Sequence, residues 1–126
     1  MSLLVHTYIL DANREMSFLD PLEQGADLAG FERWRTTVWG SDAVRALGAS
    51  FFPVLATGDL TVLPHAIGEF LHECSVIRAK LDAIAPPGDG DRHTHEWYMD
   101  AISERLSNIE AAAERARELG GGIEIS

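Results

Sequence analysis

Apolar positions along the chain change period several times, and each change marks an element. From Ser2 to Leu10 both alternating sets are apolar or β-branched, Leu3, Val5, Thr7 and Ile9 against Leu4, His6, Tyr8 and Leu10. That pattern predicts a strand, β1 (Ser2–Leu10), covered on both faces. Residues 11–27 carry Asp, Pro, Glu and Gly with no sustained period and read as a long surface loop, the first place to look for a functional surface. Phe31, Trp34 and Val38 recur at i, i+3, i+7 and predict a short helix ending at Gly40. Ser41-Asp42 then caps a second short helix, which Gly48 stops.

Two apolar runs follow, Phe51-Phe52-Pro53-Val54-Leu55 and Leu60-Thr61-Val62-Leu63, on either side of Gly58-Asp59. Gly takes the first position of a type II′ turn without steric cost, so residues 50–63 predict a hairpin, with Pro53 on an edge or at a bulge. Pro64 suits the first position of a helix. Leu63, Ile67, Phe70, Cys74, Ile77, Leu81 and Ile84 then share one face at helical spacing, predicting an amphipathic helix over 64–85. The loop Pro86 to Asp91 ends it. In the next helix Tyr98, Ile102, Leu106, Ile109, Ala113 and Ala116 share a face. Gly120-Gly121-Gly122 supplies a left-handed cap and a corner before the short strand Ile123-Glu124-Ile125. Two antiparallel helices return the chain to the end it left, so this strand should lie antiparallel to the second hairpin strand. The expected fold is α+β: a two-layer sandwich in which a small, mainly antiparallel sheet of β1, the 50–63 hairpin and the C-terminal strand packs on the helix pair.

Composition narrows the class. A chain of 126 residues predicts one domain over 1–126, and 46% hydrophobic residues suffice for a packed core. The net charge of −10 disfavours binding to a phosphate backbone, which depends on Lys and Arg displacing counterions, so no nucleic acid is expected as a partner. Cys74 is the one cysteine, which excludes an internal disulfide and a cysteine zinc site. The first eleven residues lack a basic segment and a cleavage site, and the uncharged stretch 46–58 is too short to span a membrane, so a cytoplasmic protein without membrane contact is expected. A single Lys among the ten bases is what a GC-rich bacterial source gives.

Chemistry is sparse. His65, Glu69 and His72 fall at i, i+4 and i+7, a spacing that lets imidazole and carboxylate hold Zn, Fe or Mn, with Glu73 as a further ligand. The spacing departs from HExxH, and the three lie on the side away from the apolar face, where a solvated polar stripe is the plainer reading. His93, His95 and Glu96 open the last helix. No GxSxG, P-loop or GxGxxG motif occurs, and no Ser/His/Asp triad can be assigned, so catalytic residues stay unassigned. Cys74 lies on an apolar face, as an inert thiol does. The Gly120 to Gly122 run follows a helix C-terminus, whose carbonyls repel anions, so it is a turn rather than a phosphate cradle.

What remains points to binding. Phe31, Trp34 and Trp39 sit near Arg33 and Arg35, the residue types of interface hot spots, although core packing is the plainer reading of the aromatics. The 11–27 segment holds five acids against Arg14. Asp20, Glu23, Asp27, Trp34 and Trp39 are therefore the expected contacts for a basic protein partner. Self-association through an edge strand or a helical face is a further reading. The run of features from residue 41 to residue 126, hairpin, Gly58-Asp59, capped helix pair and Gly120-Gly121-Gly122-Ile123-Glu124-Ile125, resembles small acidic bacterial proteins that include immunity partners of secreted toxins. That resemblance implies a non-enzymatic protein that occludes a toxin's active site; it assigns no residue.

Overall fold

In the computed structural model, which describes residues 1–126, β1 occupies the middle of the sheet because both of its edges are paired. The strand order is β2 (Met16–Phe18), β1, β5 (Gly122–Ile125), β4 (Leu60–Val62), and β3 (Leu28–Phe31) also pairs with β1. All these pairings are antiparallel, β4 with β5 included, as the return of the helix pair requires. Strands β2 and β3 divide one edge of β1: β2 takes Tyr8 to Leu10, β3 takes Ser2 to Leu4 with a bulge between Leu3 and Leu4.

Three expectations for this half of the chain are corrected. The 11–27 segment is not all loop. Asp11 Oδ1 accepts from the backbone N–H groups of Asn13 (2.8 Å) and Glu15 (2.9 Å), Arg14 takes φ 62°, and this side-chain-closed turn folds Met16–Phe18 back as a strand. Nor is β1 covered on both faces. Leu3, Val5 and Thr7 are buried beneath the helices, with Thr7 Oγ1 donating to the Ala112 carbonyl (2.8 Å), whereas Leu4 and His6 are half-buried and Leu10 exposed on the other face. Tyr8 is the buried member of that open face, because its ring crosses Gly122 and its hydroxyl donates to the Val62 carbonyl (3.0 Å). The helix expected from Phe31 shrinks to a π-helical turn, Arg35–Trp39, since Phe31 still belongs to β3.

The 50–63 hairpin is the largest correction. Its first half is a 3₁₀ helix, Phe52–Ala56, and only Leu60–Val62 is a strand. The cause lies in a distant residue. Glu73, 8% exposed, accepts from the N–H groups of Ser50 (2.7 Å), Phe51 (3.0 Å) and Phe52 (2.9 Å), satisfying the orphan donors of a helical start and removing them from any sheet ladder. Pro53 fits the first turn of this helix. Arg35 then holds the exit, donating to the Gly58 carbonyl (2.6 Å) and to Asp59 (2.9 Å) where the hairpin turn was expected.

Local signals held in the helices. Ser41 caps α1 (Asp42–Ala46) by accepting from Val44 N–H, and Thr94 caps α4 (His95–Leu119) by accepting from Trp97 N–H. The left-handed Gly120, φ 71°, ends α4, and the six positions predicted to share its apolar face are its buried residues. The 64–85 helix is segmented into a 3₁₀ turn (Pro64–Ala66), α2 (Ile67–Arg78) and α3 (Leu81–Ile84). Helices α2 and α4 pack on each other and α4 packs on the sheet, giving the two-layer α+β arrangement. One cluster of 25 buried residues joins the layers. Within it Trp39, Phe52 and Phe70 stack at centroid distances of 4.8 and 5.2 Å. Each such side chain contributes roughly 1.5–3 kcal/mol by leaving water.

Candidate partner-binding surface

The acids expected to meet a partner stand at one corner of the molecule. After β2 the chain leaves the edge of β1 at Leu19 and rejoins it at Asp27, so residues 20–26 arch over the gap between β2 and β3. Two bonds pin the ends of the arch: Leu19 N–H donates to the Thr7 carbonyl (2.9 Å) and Val5 N–H donates to the Asp27 carbonyl (2.8 Å). Helix α4 supports the span. Arg115 donates to the Asp20 carbonyl (2.8 Å), and Asn108 donates to the carbonyls of Gly25 (3.3 Å) and Leu28 (2.9 Å). Beneath the arch lies a cavity of about 60 Å³ floored by Val5, His6 and Thr7 and walled by Ala111, Ala112 and Arg115 of α4.

On this arch Asp20 and Glu23 are exposed, Asp27 is half-buried, and Leu22, which with Asp27 also borders the cavity, stands 79% exposed between them. An exposed leucine on a supported backbone, rimmed by carboxylates, has the make-up of an interface anchor with a polar rim. Arg115 forms no ion pair with these carboxylates; its hydrogen bond goes to the main-chain oxygen of Asp20.

Trp34 and Trp39, expected among the contacts, belong to the core instead, at 1% and 0% exposure. The Trp39 indole N–H donates to the Ala29 carbonyl (3.0 Å), and the two rings meet edge to face at 6.0 Å. A Trp next to an Arg signals an interface only when the ring is left in water, and here Trp34, just before the π-helical turn, and Trp39, at its end, are both buried. Phe31 and Trp97 are the exposed aromatics of this region; they flank a shallow groove of about 170 Å³ with Asp100, Glu104 and Arg105.

The His65, Glu69, His72 stripe is exposed, and its members sit on different elements: His65 in the 3₁₀ turn, Glu69 and His72 on α2. The tighter turn takes His65 out of the α-helical phase on which the i, i+4 spacing relied. Glu69, His72 and Glu73 border a groove of about 510 Å³ against Leu47 to Phe51, yet both oxygens of Glu73 are taken by the backbone of 50–52. No group of three or more His, Cys, Asp or Glu is placed to share one ion. No protein-family model, curated protein or solved structure matches this chain.

Several other titratable groups have structural partners. At the start of α4 the Asp89 carboxylate accepts from the Tyr98 hydroxyl (2.8 Å) and from His93 N–H (2.7 Å), and the Tyr98 bond holds the carboxyl below its usual range while raising the phenol. His93 stacks on Trp97 at 3.6 Å, and His95 Nδ1–H donates to the Pro86 carbonyl (2.9 Å), so these two histidines close their own loop. Cys74 is fully buried, and its burial, reinforced by Glu110 and Glu73, pushes the thiol well above the ordinary range. A thiol reagent should therefore label Cys74 only after unfolding; stoichiometric labelling of the native protein within minutes would contradict the packing. No helix is long and apolar enough to cross a membrane.

Proposed function

We propose that this protein is a non-enzymatic protein-binding module whose acidic arch, residues 20–27, docks a basic protein partner in the manner of an immunity-type inhibitor. One observation carries the reading: Leu22 is 79% exposed and is held among Asp20, Glu23 and Asp27 on a backbone braced by Arg115 and Asn108. A braced loop loses little conformational entropy on binding, and an apolar anchor inside an acidic rim selects a partner with an apolar cleft surrounded by Lys and Arg. The chain's net charge of −10 steers such a partner toward it.

The test starts from a basic protein captured by the immobilised chain. The triple substitution Asp20→Asn, Glu23→Gln, Asp27→Asn should weaken that complex by roughly thirtyfold at low salt, about 2 kcal/mol for three rim charges, and flatten its salt dependence. Leu22→Ala should accelerate dissociation. A partner whose affinity and salt slope ignore the triple variant, or a chain that retains no basic protein, overturns the proposal.

A further inference from the structure

We propose that β2 pairs with β2 of a second copy of this chain, joining two sheets across a twofold axis at Ser17. The hydrogen-bond phase of β2 comes first. Asp11 N–H donates to the Glu15 carbonyl (3.0 Å), Leu19 N–H donates to the Thr7 carbonyl (2.9 Å), and Ser17 faces Ile9 in the register, so Glu15, Ser17 and Leu19 turn their backbone groups toward β1. Alternation then turns the N–H and C=O groups of Met16 and Phe18 away from β1, along the free edge of the sheet. The whole of β2 is exposed.

That edge is self-complementary. With the axis at Ser17, Met16 of one copy lies opposite Phe18 of the other and exchanges both N–H···O bonds with it, and the same pair repeats on the far side of the axis, as an isologous contact requires. The side chains agree with the backbone. Leu10, Met16 and Phe18 are exposed at 41, 40 and 49%, and the register places all three on the open face, where Phe18 meets the Tyr8 ring edge to face at 6.0 Å. Pairing sets Phe18 beside Met16 of the second copy and completes an apolar row, Tyr8, Phe18, Met16, Leu10, across the junction. Charge agrees too: Arg14, the one base of the 11–27 segment, precedes β2 and Asp20 follows it, so the antiparallel register brings Arg14 of one copy toward Asp20 of the other. No helix or loop of this chain covers the edge, whereas natural edges of this kind are usually blunted by Lys, Pro or a bulge, none of which β2 contains.

Two three-residue strands bury less than the standard ~800 Å² per partner, so the dimer is of the weak, reversible class. Two copies of net charge −10 repel, so added salt should tighten it, the reverse of the sign expected for docking a basic partner on the arch. The two proposals thus succeed or fail separately.

The experiment is disulfide trapping. A non-hydrogen-bonded antiparallel pair brings Cα atoms to about 4.5 Å, inside the disulfide range of about 4.4–6.8 Å, so Ser17→Cys should link to its twin under mild oxidation. Asn13→Cys, equally exposed at the turn but off the axis, is the collision control, and buried Cys74 stays silent. Linking of Ser17→Cys should be at least tenfold faster than that of Asn13→Cys. Adding Phe18→Pro, which removes an outward donor while leaving the bonds to β1 in place, should cancel the advantage, with circular dichroism confirming the fold. Sedimentation of the unmodified protein should show a dimer fraction that rises with concentration and with salt. Equal linking rates for the two cysteines, linking that survives Phe18→Pro, or a monomer at every concentration overturns the proposal.

Discussion

Gly121→Ala is expected to prevent stable folding, because a Cβ at that position falls inside the carbonyl oxygen of Tyr8. The obstacle is backbone, and β1 cannot retreat from it: Tyr8 is paired with Gly122 on one side and with Phe18 on the other. Overpacking by one methyl against a yielding side chain costs about 1–3 kcal/mol; against a strand held on both edges the cost should exceed about 4 kcal/mol, a large share of the ~5–15 kcal/mol that stabilises a domain of this size. Gly122→Ala meets the Val62 carbonyl and the Tyr8 hydroxyl and should behave alike. Gly58→Ala, at a glycine with open space around it, is the matched control and should change stability by less than about 1 kcal/mol. Urea unfolding followed by circular dichroism decides the matter, and a Gly121→Ala protein within 1 kcal/mol of the control would show that the corner into β5 is not packed as described.

Glu73→Ala should be the most damaging change on the helical side. The substitution leaves the N–H groups of Ser50, Phe51 and Phe52 without their acceptor, and Phe52 is fully buried. Bonds to a charged acceptor contribute about 1.5–3 kcal/mol each, and water can replace those at the exposed Ser50 end, so a net loss of about 3–4 kcal/mol is expected, a fall in Tm of roughly 10 °C. Glu73→Gln should recover only part of this, because its amide NH₂ faces a backbone donor. Glu69→Ala, one turn earlier and exposed, should stay within about 0.5 kcal/mol. Equal melting temperatures for Glu69→Ala and Glu73→Ala would remove Glu73 as the cap of the 3₁₀ helix.

These residues also mark where sequence reading succeeds and where it stops. Ser41 and Gly120 act on the turn they begin or end, so their chemistry is visible within four residues and both were legible. The apolar stripe of α4 was legible for the same reason, since a helix of 25 residues repeats its period many times. Glu73 acts on a segment more than twenty residues earlier, and nothing in Phe51-Phe52-Pro53-Val54-Leu55 reveals that a carboxylate will take its first N–H groups. Strand β2 is three residues long, too short to show any period, and its signal lay in the Asp11 turn rather than in its own pattern. At the candidate surface the charges of Asp20, Glu23 and Asp27 were legible, as charge is local. The brace from Arg115 and Asn108, which makes an arch out of a loop, spans 80 residues or more, and no nearby residue announces it.

The place of β5 between β1 and β4 also sets a timetable. Val5 pairs with Ile125, so β1 is completed by a segment made 120 residues after it. At about 5–20 residues per second, β1 waits on the order of ten seconds with an apolar edge open, while α2 and α4 can form from local contacts in microseconds. From its own synthesis until β5 is made β4 is equally unpaired, since its partner is also β5. Nascent chains should therefore carry β1 with β2 and β3 alone until β5 is made, and the β5-facing edges of β1 and β4 are the surfaces on which holding chaperones, or other nascent copies, would first act.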